Sequence, residues 1–294
     1  MSQINVQLKD GTNLQVWVFG NENKTKPLLI ALHGGPGLST HETEVQYQFL
    51  ADNFRVLVYD ARGSGRSDLK GPFTDDQWAS DVDELREWAQ AETFVLAGYS
   101  YGGFVALTYA LKYQNRLSAL ILRDTWAFGY RGGLGALRSC LTSPRISPDP
   151  ARQVRLWSGT CINREDAEKG LAEIMAIYTP EKEGPASSAP PAFDLANDGL
   201  GLHWEVHNAA WSFNPPRFDV RDKLGSIAVP VLVAVGRHDP ICPVEAAEVI
   251  AGGVKNSELV IFENSGHNPA QDEPEEFQKE VNKFLKSHIP LNLN

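Results

Sequence analysis

Cysteine is scarce in this chain: Cys140, Cys161 and Cys242 are the three among 294 residues, and they are widely spaced. An odd, scattered set excludes a disulfide framework and a zinc cluster, and it points to a reducing compartment. None of the three lies in a glycine-rich turn between strand and helix, so cysteine nucleophile chemistry is not indicated. Positive charge is also in short supply, with 27 Lys and Arg against 37 Asp and Glu and a net charge of −10. That balance argues against nucleic acid or an anionic membrane as partner. Long apolar runs of membrane-spanning length are absent. Met1 to Asn5 lacks a basic segment followed by an apolar one, so a cytoplasmic location is expected. No set of His, Cys, Asp and Glu has metal-ligand spacing, so neither a metal nor another cofactor is implied.

What remains is ordinary globular material. Hydrophobic residues make up 42% of the chain and charged residues 22%, which rules out a disordered chain. The start alternates apolar and polar residues on either side of the turn Lys9-Asp10-Gly11-Thr12, predicting a β-hairpin with one wet face. Beyond it the strand signals become short continuous apolar runs: Leu28–Leu32, Val56–Tyr59, Phe94–Ala97, Leu120–Leu122, Val231–Val235 and Leu259–Phe262. Such runs suit a parallel sheet covered on both faces. Helical patterns at Trp78–Trp88, Phe104–Tyr113, Val244–Ile250 and Pro274–Leu285 alternate with them. The fold class predicted is therefore α/β, doubly wound.

The gap between Leu122 and Val231 is too long for one crossover. It holds helical patterns near Leu134–Leu141, Arg152–Trp157, Glu165–Tyr178 and Leu200–Trp211, and a Pro- and Ser-rich stretch at 183–191 that predicts a flexible surface loop. Four of the seven tryptophans, Trp126, Trp157, Trp204 and Trp211, fall in it. The expected organisation is a sheet domain at 1–125 and 227–294, interrupted by a helical cap at 126–226 over the strand carboxyl ends.

Gly98-Tyr99-Ser100-Tyr101-Gly102 lies between a strand run and a helix pattern. Glycines flanking a serine at that junction allow a sharp turn that lifts the hydroxyl clear. A serine needs a base to take its proton, and the base needs an orienting acid. The loops after the last two strand runs offer Asp239, in Gly236-Arg237-His238-Asp239-Pro240, and His267, in Ser265-Gly266-His267. His238 precedes the last strand and ranks below His267. The order Ser, Asp, His is that of one serine-hydrolase fold and differs from two others. A fourth component is His33-Gly34-Gly35-Pro36-Gly37, whose amides can face a substrate oxygen. It assigns an oxyanion hole to Gly35 and Tyr101, with His33 as a hydrogen-bonded structural residue. The loop ends in no Gly-Lys-Ser/Thr, so nucleotide binding is not indicated. In Tyr59 to Ser67, Asp60 and Arg62 are expected to satisfy backbone groups or each other.

These motifs, together with Gly63-Ser64-Gly65-Arg66-Ser67 and Cys242-Pro243, resemble the prolyl iminopeptidase branch of the α/β-hydrolase superfamily. The run from Ser100 to Gln114 is similar to the tricorn-interacting aminopeptidase of that branch. The resemblance implies an α/β-hydrolase fold with an inserted cap and a small-molecule or short-peptide substrate. It implies a small amide or peptide with a free amino end, held by cap carboxylates. Glu205 matches one such glutamate, with Glu173 and Glu165 as weaker matches, and Trp204 and Trp126 are named beside it as substrate-binding. Where tricorn-type relatives carry a glutamate in the acid motif, this chain has Arg237. The alternatives are an esterase or lactonase acting on a small hydrophobic metabolite, and a binding protein that keeps the fold without catalysis.

Overall fold

A computed structural model describes residues 2–20, 24–40, 46–181 and 201–290. The stretch 183–191, expected to form a surface loop, lies outside the described residues. Strands β1 (Ser2–Gln7) and β2 (Asn13–Phe19) form the antiparallel hairpin. They are followed by β3 (Leu28–Leu32), β4 (Arg55–Tyr59), β5 (Phe94–Tyr99), β6 (Leu117–Arg123), β7 (Val231–Gly236) and β8 (Ser257–Phe262). Among the described residues these form one sheet in the order β1-β2-β4-β3-β5-β6-β7-β8, antiparallel through β2–β4 and parallel from there on.

Two strands differ from expectation. Every residue of β2 after Asn13 is buried, because β4 pairs beside it and both faces are covered. The wet face belongs to β1 alone, where Asn5 and Gln7 are exposed. β8 was expected to be covered, yet as the last strand of the sheet it leaves Leu259 exposed and Glu258 only half-buried. A strand's burial depends on its neighbours, which its own apolar run does not report.

Helices α1 (Asp75–Trp88) and α2 (Tyr101–Tyr113) join the strands before the insertion, and α7 (Val244–Gly253), α8 (Pro269–Asp272) and α9 (Pro274–His288) belong to the part after it. The insertion between β6 and β7 holds α3 (Gly129–Thr142), α4 (Pro150–Ser158), α5 (Arg164–Ile174) and α6 (Trp204–Phe213). Local signals account for their ends. Asp149 and Asn163 cap α4 and α5 by accepting from Arg152 and Asp166 N–H, and Gly159 ends α4 in the left-handed conformation. Buried Cys140, Leu156, Ala167, Ile174 and Val206 pack these helices into the same core as the sheet. Among the described residues no helix is long and apolar enough to cross a membrane.

The loop after β4 is held by charge. Asp60 accepts from the backbone N–H of Thr40 and Arg66. Arg62 does not pair with it; its guanidinium clasps Asp81 at 2.8 and 2.7 Å and also reaches Asp10 at 2.8 Å. The Arg62 and Asp81 side chains are both 0% exposed. Truncating Arg62 leaves a buried carboxylate without its counter-ion, so Arg62→Met is expected to cost about 3–5 kcal/mol. Urea denaturation checks this, and adding Asp81→Leu should recover part of the loss.

Candidate active site

Ser100 is the single residue between β5 and α2, with φ 52° and ψ −120°. A positive φ is uncommon for a residue with a Cβ and costs on the order of 1–3 kcal/mol. The turn is held by Ser100 N–H donating to Arg123 O and by Gly103 N–H donating to Ser100 O, each at 2.9 Å. A Cβ on Gly98 would lie 2.5 Å from Gly102 O, and one on Gly102 would lie 2.6 Å from His33 O. Both glycines are therefore required where strand, helix and the His33 loop cross.

The hydroxyl meets a continuous relay. Ser100 Oγ lies 3.0 Å from His267 Nε2, and His267 Nδ1 lies 2.7 Å from Asp239 Oδ2. A carboxylate only accepts, so the proton sits on Nδ1 and leaves the Nε2 lone pair facing the serine. Asp239 Oδ1 accepts from the N–H of Ile241 and Cys242 at 2.8 and 2.9 Å, which fixes the carboxylate plane. His267 N–H donates to Tyr178 O at 2.7 Å, tying the histidine loop to the inserted helices. His238 is exposed and outside the relay.

The relay's surroundings bear on its charge. Asp124, just past β6, is buried at φ 46° and accepts from Gly236 N–H at 3.1 Å. Burial, then the nearby Asp239, push its carboxyl well above the ordinary range, against the opposing charge of Arg123. Asp239, Cys242 and His267 bring ligand-type atoms within 4.8 Å of one another. The Cys242 thiol is pushed well above its ordinary value by burial and then by Asp239, so it is no thiolate, and the other two groups are spent on each other. The donor set suits a proton relay better than a metal.

Gly35 sits at φ 48° in the loop after β3, and a Cβ on its neighbour Gly34 would lie 3.0 Å from Ser100 Cβ. His33 Nδ1 donates to Gly34 O at 2.6 Å, while its Nε2 accepts from Ala61 N–H at 3.1 Å. In a trans peptide the carbonyl and the following N–H point in opposite directions. By holding Gly34 O, His33 sets the direction of the Gly35 N–H. Burial lowers the His33 pKa, which keeps the ring neutral in this role.

Tyr101, the other expected donor, is anchored at its far end. Its hydroxyl donates to Asp75 at 3.0 Å and accepts from Asn214 Nδ2 at 3.0 Å. Burial pushes Asp75 up to about 7 against the opposing Tyr101 bond. The folded state thus keeps a proton that the unfolded chain releases near 3.8, so stability falls as pH rises across that window. Asp75→Asn is expected to raise the melting midpoint at about pH 8.5 by about 3 °C, on the order of 1 kcal/mol, and to leave it unchanged near pH 4. Thermal melts at the two pH values check this.

A cavity opens above Ser100 and His267. Its walls are chiefly aromatic and aliphatic, including Phe104, Trp126, Trp157, Met175, Tyr178 and Trp211. Trp126 is where the sequence suggested. Trp204 and Glu205 are not: neither lines the cavity, and Glu205 is exposed. On α6 the cavity face carries His207 and Trp211, four residues apart, while Glu205 stands roughly 200° around the helix from His207. Glu173 is spent on Arg152 and Gln153, and Glu165 on Lys169. Arg237 pairs with Glu263 at the surface. Among the described lining residues there is no carboxylate. The His207/Trp211 spacing is the sequence signal that could have located this wall.

A family model described as alpha/beta hydrolase fold matches residues 27–152, and one described as TAP-like protein matches 202–289. The chain is similar to a proline iminopeptidase of Pestalotiopsis fici, 29% identical over 94% of this chain and 97% of that one. It is also similar to a proline iminopeptidase of Saccharolobus solfataricus, 29% identical over 90% and 86%. Among solved structures, an esterase from Exiguobacterium antarcticum superposes with a TM-score of 0.72 at 26% identity, covering 97% of this chain and 100% of that one.

Proposed function

This hydrolase belongs to the α/β-hydrolase superfamily, in the branch resembling proline iminopeptidases, and from that premise we propose that it acts through a serine acyl-enzyme. The observation that carries the reading is the unbroken hydrogen-bonded line from Ser100 through His267 to Asp239. Ser100 Oγ attacks the substrate carbonyl as its proton passes to His267 Nε2, and Asp239 stabilises the imidazolium. The amides of Gly35 and Tyr101 receive the oxyanion, each contributing about 3 kcal/mol. The leaving group takes the proton from His267; water, deprotonated by the same nitrogen, then releases the acid and frees Ser100. The described residues of the insertion, 126–181 and 201–226, serve as the cap that shapes the substrate cavity. The three thiols, free and buried, support a cytoplasmic location.

The substrate proposed first is a small amide or peptide with a free amino end, supported by proline iminopeptidase relatives aligned along nearly the whole chain. A second reading, an ester or lactone of a small hydrophobic acid, is favoured by one observation: the described cavity lining has no carboxylate to hold an ammonium group.

Fluorophosphonate labelling combined with substrate comparison tests both levels. The wild type should label at Ser100 and hydrolyse proline and alanine β-naphthylamides. Turnover confined to p-nitrophenyl esters would overturn the amide reading. A folded protein that binds ligands yet resists labelling would overturn the serine mechanism and leave a binding role.

A further inference from the structure

Among the described residues, the cavity wall carries polar ring atoms without hydrogen-bond partners: the Nε1–H groups of Trp126 and Trp157 and, as an acceptor, one nitrogen of His207. His207 is 5% exposed and lines the cavity beside Trp211, with ring centroids 6.0 Å apart. Its Nε2 lies 3.0 Å from Leu156 O. A carbonyl only accepts, so the Nε2 carries the proton and Nδ1 is left as a lone-pair acceptor. No described residue supplies a donor to Nδ1. Burial pushes the His207 pKa down to about 4, so the ring is neutral at physiological pH and Nδ1 remains an acceptor. The neighbours Leu156, Trp157, Leu171 and Met175 make that wall apolar. Nδ1 is neither bonded nor fully enclosed, so it is open to a partner that enters the cavity the ring lines.

We propose that His207 Nδ1 recognises the substrate, accepting one hydrogen bond from an N–H or O–H group on its acyl part. This deepens the serine-hydrolase reading and rests on it. Glu205 faces solvent, so a donor that enters the cavity meets the His207 ring, aromatic faces and the hydroxyl-bearing Ser39, Tyr99 and Tyr178, and no carboxylate among the described lining residues. Aromatic walls tolerate an amine or hydroxyl where a single acceptor satisfies it, and an acyl chain with only methyl groups leaves the nitrogen unpaired.

The test uses p-nitrophenyl esters in which one methyl of the acyl chain is replaced by hydroxyl or amino at successive positions. At one position the wild type should favour the donor over methyl by about tenfold in kcat/KM. The arm that shows the preference tells hydroxyl from amine. His207→Leu should remove the preference, and His207→Asn, which places an amide oxygen near Nδ1, should keep part of it. Thermal melting checks the folding of each variant. Absence of any preference in the wild type overturns the proposal without need of a variant, and so does a preference that survives in folded His207→Leu. Fluorophosphonate labelling separates the two levels: a labelled wild type without preference fails only this inference, whereas an unlabelled wild type fails the serine reading and this inference with it.

Discussion

Ser100→Ala is expected to lower kcat on the preferred substrate by about a million-fold while the protein stays folded. The change deletes one oxygen and its 3.0 Å contact with His267. The turn itself is held by backbone bonds from Ser100 N–H to Arg123 O and from Gly103 N–H to Ser100 O, which alanine retains. Melting behaviour should therefore match the wild type, and substrate should still bind. Residual turnover comes from the cavity and the Gly35 and Tyr101 amides, and alone exceeds the uncatalysed rate by about 10³–10⁴. Steady-state kinetics measure the loss, and fluorophosphonate labelling should vanish. Label that persists would assign the nucleophile to another residue.

Asp239→Asn is expected to lower kcat by about ten-thousandfold with little change in KM. The geometry dictates which end of the amide faces the histidine. Asp239 Oδ1 accepts two backbone N–H groups, from Ile241 and Cys242, and only the oxygen of asparagine can replace it there. The amide nitrogen then faces His267 Nδ1 and donates to it. Nδ1 becomes the acceptor, the proton moves to Nε2, and no lone pair is left to receive the serine hydrogen. Folding should be largely preserved because the backbone bonds persist. Pre-steady-state acylation with a p-nitrophenyl ester resolves the effect: the burst should slow by the full factor. A variant that acylates at the wild-type rate would place the acid elsewhere, with buried Asp124, whose charge interacts with that of Asp239, a carboxyl to examine.

The relay and the oxyanion loop were legible because each depends on short local patterns at strand ends. Gly98 and Gly102 mark a crossing too close for any Cβ, and that requirement is written in the pentapeptide itself. In a parallel sheet the loops after each strand open on the same edge. Ser100 after β5, Asp239 after β7 and His267 after β8 therefore converge although 167 positions separate the serine from the histidine. Their order along the chain is the signal that singles them out.

The cap was less legible. Its helices are visible as patterns, but the family resemblance points to Glu205 as facing the substrate and gives no sign of His207. Helical periodicity groups residues into faces; it does not say which face meets the cavity. That choice is made when α6 packs against α4 and joins the core through Val206 and Ala210, turning His207 and Trp211 toward Ser100 and Glu205 toward water. The same holds for Tyr178, whose carbonyl reaches His267 N–H, and for Asp75 and Asn214 behind Tyr101. None of these pairs is near in sequence.

The fold class, and the placing of Ser100, Asp239 and His267 at the ends of parallel strands, are written in local motifs, because backbone sterics and strand topology turn such motifs into a fixed arrangement. The tertiary structure alone decided what lines the cavity above that serine. Helix packing across the insertion sets those contacts, and packing is a property of surfaces that meet only once the chain has folded.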